Sequence, residues 1–159
     1  MLLRTMKPLP FERLHDAEGS VTLGWAGDSV VHACVSGGLS AALGARLASE
    51  VQTLVGGFSG VHYFCDAAKL TRYDLLARSA FVRMALANRR CFASFALLTW
   101  PAAVSPAANA FTAALGDSVT LFRDASDFER HLLELAPLAR HRIEPVNAAR
   151  FESAARPLR

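Results

Sequence analysis

Val61-His62-Tyr63-Phe64-Cys65-Asp66-Ala67-Ala68-Lys69-Leu70-Thr71-Arg72-Tyr73-Asp74 is the stretch on which the fold turns. Val61 to Cys65 is a short apolar run bounded by Gly60 and Asp66, and it reads as a buried strand. From Asp66 the chain becomes polar and charged, which predicts a loop. Thr71-Arg72-Tyr73-Asp74 then has the spacing of a capping box, where a hydroxyl and a carboxylate three residues apart satisfy the free amides of a helix start. A helix to about Arg90 is expected. Strand, loop and helix in that order make the basic unit of an α/β domain.

Upstream, Phe11 to His15, Val21 to Ala26 and Val30 to Val35 have strand character, the last two parted by the turn signal Gly27-Asp28. An antiparallel opening follows from that spacing. Ser36-Gly37-Gly38 then breaks the pattern, and Leu39, Leu43, Leu47, Val51 and Leu54 recur at helical spacing until Gly56-Gly57. Downstream, Phe92 to Thr99 reads as a second buried strand. Ser105-Pro106 is a helix start, because Ser caps and Pro in the first turn loses no needed donor. That helix should end near Gly116, followed by a strand at Val119 to Phe122. A second capping box, Ser126 to Glu129, opens a helix to about Leu135. The predicted fold is α/β: one mixed β-sheet with antiparallel opening strands and later strand-helix crossover units. Residues 1–137 form one domain and 138–159 a basic, partly ordered tail.

Composition narrows the function. The chain has 159 residues, of which 52% are apolar, enough for a core that folds alone. Apolar stretches such as Phe92 to Trp100 are too short to cross a bilayer, and Met1 to Phe11 lacks the continuous apolar run of a secretory signal. A cytoplasmic protein with no membrane association is expected. The net charge of +3 arises entirely after Pro137, where Arg140, Arg142, Arg150, Arg156 and Arg159 face only Glu144 and Glu152. The body is neutral, so nucleic acid is not the expected partner.

The chemistry-bearing residues form no catalytic pattern. Cys34, Cys65 and Cys91 are odd in number and lack metal-ligand or redox spacing, which suits reduced, buried thiols. His15, His32, His62, His131 and His141 show no ligand pairing either. His62 and Cys65, three apart on a strand, should point to opposite faces and so cannot act as base and nucleophile. Asp66 and Asp74 could share acid/base work across a loop, but carboxylates so placed also serve as caps and ion-pair partners. No Gly-rich phosphate cradle accompanies the loop. The expectation is a protein that is not an enzyme and uses no cofactor or metal.

The run from Val61 through Leu132, with its strand ending in Cys65-Asp66, the Tyr73-Asp74 helix opening, the Phe92 to Thr99 strand, and Val119 to Phe122 before Asp127-Phe128, resembles STAS-like domains. These are related to bacterial anti-sigma-factor antagonists. In element order the similarity spans residues 10 to 136. It implies a non-catalytic regulatory domain that binds another protein, with Asp66 and Asp74 at the two acidic positions flanking the family's regulatory loop. In phosphorylated members a Ser follows the second acidic residue; here Leu75 does, so the phosphoserine switch is not implied. Thr71 and Ser79 are the nearest hydroxyls.

The residues themselves point to the same place. Asp66, Lys69, Thr71, Arg72, Tyr73 and Asp74 make a dense polar stretch at a strand's carboxyl end, where α/β sheets place ligand sites. Arg72, Arg83 and Arg90 return to one angle at 3.6 residues per turn, with Leu75, Val82 and Leu86 as an apolar rim. The expected partner is another protein docking around residues 66–90, or a second copy of the chain. The plain alternative is a solvated connection with its cap. A further alternative is a carrier of a small apolar molecule or lipid, with Trp25, Phe81, Phe95, Trp100 and Phe111 lining a cavity that opens at Trp100-Pro101. Aromatic residues in so apolar a chain, however, usually fill the core.

Overall fold

The computed structural model describes residues 11–99 and 105–143. Six strands, β1 (Glu12–His15), β2 (Gly19–Trp25), β3 (Val30–Leu39), β4 (Val61–Tyr73), β5 (Phe92–Thr99) and β6 (Val119–Phe122), form one sheet in chain order. The β1-β2 and β2-β3 pairs are antiparallel and the rest parallel. The helices are α1 (Ala41–Val55), α2 (Leu75–Ala87), α3 (Ser105–Leu115) and α4 (Ala125–Leu135). This is the mixed α/β sheet that the sequence predicts.

Strand order places the helices. Every parallel crossover adds its strand on the same side, and right-handed crossovers in one direction put their helices on one face. Accordingly α1 and α2 cover a core containing Val21, Val31, Leu43, Val51 and Tyr63. The opposite face is covered by α4, where Phe128 and Leu132 pack on Val30, Phe64 and Leu98. Alternation along β4 serves both layers: Val61, Tyr63 and Cys65 face α1 and α2, and Phe64 faces α4.

The break read at Ser36-Gly37-Gly38 and the loop expected from Asp66 are instead paired strand. β3 runs on to Leu39 and β4 to Tyr73, with register shifts between Cys34 and Ser36 and between Gly37 and Gly38. Gly37 sits at φ +77°, a conformation that glycine adopts without strain. The described pairing with β5 runs to Ala67, and beyond it β4 has β3 alone as neighbour among the described residues. Lys69, Thr71 and Arg72 can therefore face solvent, and their polarity reads as loop.

Both predicted capping boxes shift. Asp74, not Thr71, caps α2, its Oδ1 accepting the Leu76 N–H at 2.7 Å. Its own N–H still donates to the Leu39 carbonyl, so the ladder runs directly into the cap and leaves no room for a loop. At α4 the cap is Asp124, whose Oδ1 accepts from the Asp127 amide at 3.0 Å. α2 ends at Ala87, short of the expected Arg90, where the Asn88 N–H and side-chain amide both bond the Met84 carbonyl. Residues 139–143, read from sequence as tail, are helical, and Ala139 is fully buried against the α4 layer.

Candidate functional site

Lys69, Thr71 and Arg72 in the carboxyl half of β4 and Asp74 at the start of α2 are all exposed. The Arg72 guanidinium lies 3.5 Å from the Glu18 carboxylate, with its side chain 69% exposed. Such a pair is weak and open to exchange. Tyr73 is half-buried and turns toward the core. Leu75 and Leu76, the first residues of α2, are 62% and 65% exposed, and Leu86 near its far end is 43% exposed. Leu75 and Leu86 were legible as rim positions, whereas Leu76 was not singled out.

Two expected members stand apart. Asp66 points to the opposite face of the sheet, its Oδ1 accepting the Ala68 N–H at 3.0 Å. Arg90 lies beyond the last turn of α2, whose 13 residues span about 20 Å. Arg72 is on β4, so Arg72, Arg83 and Arg90 share no helix face; Arg83 alone is on α2. The angular match fails because it assumed one helix from Arg72 to Arg90.

Two cavities flank the sheet. Beneath α2 an almost purely apolar one of ≈ 90 Å³ is lined by Val35, Leu47, Tyr63, Leu70, Phe81 and Phe111. The Tyr63 hydroxyl is buried there, with the Cys65 thiol as its polar neighbour. Of the other aromatic residues expected around a cavity, Trp25 packs on Phe58 and Phe95 on Tyr63 and Phe92. Trp100 lies outside the described residues.

On the α4 side a cavity of ≈ 250 Å³ is bordered by His32, Cys34, Asp66, Leu98, Phe128 and Leu132. His32 is 4% exposed and its Nδ1 has no partner. Burial pushes its pKa down to about 4, against the pull of the nearby Asp66 charge.

His62 and Cys65 point to opposite faces, as read from sequence. His62 Nδ1 is 2.7 Å from Ser94 Oγ. Burial pushes the Cys65 thiol up to about 12, which withholds the reactive thiolate. Among the described residues no group of three or more His, Cys, Asp or Glu side chains is placed to hold a metal ion. No helix among them is long and apolar enough to cross a membrane.

No family model and no curated protein matches this chain. Among solved structures it is similar to an uncharacterized protein from the DUF3478 family with a SpoIIAA-like fold, from Shewanella loihica PV-4. The identity is 14%, the alignment covers 75% of this chain and 98% of that one, and the TM-score is 0.58. The fold is therefore STAS-like, of the SpoIIAA type, in agreement with the resemblance carried by residues 61–132.

Proposed function

We propose that this domain is a non-catalytic regulatory module whose α2 amino end docks an acidic protein partner. The observation that carries the reading is the exposure of Leu75 and Leu76, consecutive at the start of a helix and three residues after the exposed Arg72. Exposed adjacent leucines with arginine beside them have the composition of an interface centre. Charge chooses the partner: from Leu75 through Gly116 the sequence has Arg78, Arg83, Arg89 and Arg90 but no Asp or Glu. The start of α2 also favours a negative group from the partner, through its oriented amides. No phosphoserine is required in this reading, since Leu75 occupies the position after Asp74.

The test is a pull-down from a native cytoplasmic extract with wild type and a Leu75→Asp, Leu76→Asp variant, followed by titration of the purified partner at rising salt. Support is a partner lost by the still-folded variant and weakened by salt. A captured protein that holds the variant equally well removes the α2 start from the interface.

A second reading, a small apolar ligand beneath the same helix, is favoured by the almost purely apolar lining of that cavity. Size weighs against it. The ≈ 90 Å³ present is below the ~150 Å³ cavity that accepts benzene. Native mass spectrometry of the purified protein tests it, a co-purified small molecule displaced by Ala77→Phe being the supporting result.

A further inference from the structure

Apolar side chains occupy both sides of α2. Ala77, Phe81, Met84 and Ala85 are buried on its inner side, whereas Leu75, Leu76 and Leu86 are exposed. A helix that is apolar on both sides is ordinarily covered on both. The outer side is also regular. Leu75, Ser79, Val82 and Leu86 follow one another at spacings of four, three and four, the repeat of a coiled-coil seam, with Leu75 and Val82 at d and Ser79 and Leu86 at a. Leu75, Ser79 and Leu86 are exposed and Val82 is half-buried, so this row faces outward along most of the helix.

The flanks of the row decide what covers it. Leu76 and Arg83 hold its e positions and Arg78 a g position, Arg83 exposed and Arg78 half-buried. A second copy would set these arginines against one another, since parallel helices oppose e to g and antiparallel helices oppose e to e and g to g. Like charges so placed disfavour a self-pair. A helix with Glu or Asp on its flanks meets both arginines with opposite charge instead. An extended strand does not fit, because its side chains repeat every two residues and cannot follow a row of fours and threes.

We infer that the partner engages α2 through an amphipathic helix of its own, with apolar residues along Leu75, Ser79, Val82 and Leu86 and acidic residues against Arg78 and Arg83. The inference rests on the docking reading above and specifies its mode. It also gives Ser79 a place: a polar residue at one a position fixes register at a cost in affinity. The 13 residues of α2 span about 20 Å, so the seam is short and the contact reversible.

The test titrates the full chain with a designed peptide of roughly three heptads, Leu at a and d and Glu at e and g, whose like charges keep it from pairing with itself. Two control peptides carry Lys in place of Glu, or the same composition with the leucines scattered round the helix. Circular dichroism and amide NMR follow binding. The Glu peptide should bind, gain helix, shift the amides of Leu75, Ser79, Val82 and Leu86, and weaken at rising salt. Both controls should bind roughly tenfold more weakly or worse. Ser79→Leu should tighten binding roughly tenfold by completing the apolar row, and Leu86→Asp should weaken it at least as much. A gain of affinity cannot come from a damaged fold, so the Ser79 variant keeps the test independent of stability. Equal binding of either control, no gain with Ser79→Leu, or a homodimer that Leu86→Asp dissociates overturns the proposal. Binding lost with Leu75→Asp but kept with Leu86→Asp overturns it too, while leaving the docking end of α2 intact. If no peptide shifts α2, the seam is removed, and the pull-down with the Leu75→Asp, Leu76→Asp variant decides the docking reading separately.

Discussion

Gly44 of α1 and Ala77 of α2 are packed so closely that a Cβ on Gly44 would lie 2.3 Å from the Ala77 Cβ. Ala77 directly follows the exposed Leu75 and Leu76 in the first turn of α2, so this contact sets where the docking end of the helix sits.

Gly44→Ala is predicted to destabilise the domain despite the better helix propensity of alanine. The propensity gain is about 1 kcal/mol, whereas overpacking a contact that has no slack costs about 1–3 kcal/mol. Urea unfolding should show a lower midpoint, and Gly44→Val a larger drop. An unchanged or raised midpoint for Gly44→Ala would mean that α2 can retreat freely.

Asp74→Ala should cost about 1 kcal/mol, because the Leu76 amide loses its cap. Thr71→Ala, at an exposed position in β4, should stay within about 0.5 kcal/mol of wild type. Thermal unfolding of the two variants separates the observed cap from the capping box read off the sequence; equal losses would contradict the observed one.

Stability should fall on mild acidification through His32. Its folded pKa is pushed down to about 4 from an ordinary 6.5, so between those values the unfolded chain binds the proton and the folded one does not. Stability therefore rises with pH across that window and is flat beyond both ends, with a total change on the order of 3 kcal/mol. The groups around it are Asp66 on β4 and the Glu129–Arg140 pair. Chemical unfolding of wild type and His32→Leu at pH 4, 5.5 and 7 checks this, and a slope that persists in the variant would assign the window elsewhere.

A separate loss should appear at lower pH. The Ser40 hydroxyl and the Glu18 and Gly19 amides hold Asp16 below the usual carboxylate range, so its contribution is present above 3.8 and disappears as pH falls through the depressed folded value. Asp16→Asn should flatten the acid limb of the unfolding curve below pH 4 without altering the His32 window. A variant with the wild-type acid limb would show that these hydrogen bonds do not stabilise the folded state.

Much of the fold was legible because burial imposes period. Leu43, Leu47 and Val51 recur at helical spacing and are 0%, 4% and 0% exposed, and the apolar runs of β4 and β5 are buried on both faces. The polar half of β4 was not legible. Its residues look like loop because the described pairing with β5 runs only to Ala67, and strand length elsewhere in the sheet is invisible at Lys69 or Arg72. The structure leaves Lys69, Thr71, Arg72 and Asp74 exposed and separates Asp66 and Arg90 from them. Side-chain alternation turns Asp66 away, the helix stop at Asn88 leaves Arg90 beyond α2, and Arg72 leaves the expected helix row because it belongs to a strand.

By itself the sequence determined the element order, the α/β class, the two-faced burial of the central strands and the cationic, acid-free span from Leu75 to Gly116. These depend on local composition and spacing, which each segment carries within itself. Tertiary structure alone decided that His32 and Asp66, 34 residues apart in sequence, border one cavity, and that Leu75 and Leu76 are left uncovered. Both outcomes come from strand order and crossover hand, which assign each helix to a face and so settle what is buried beneath it.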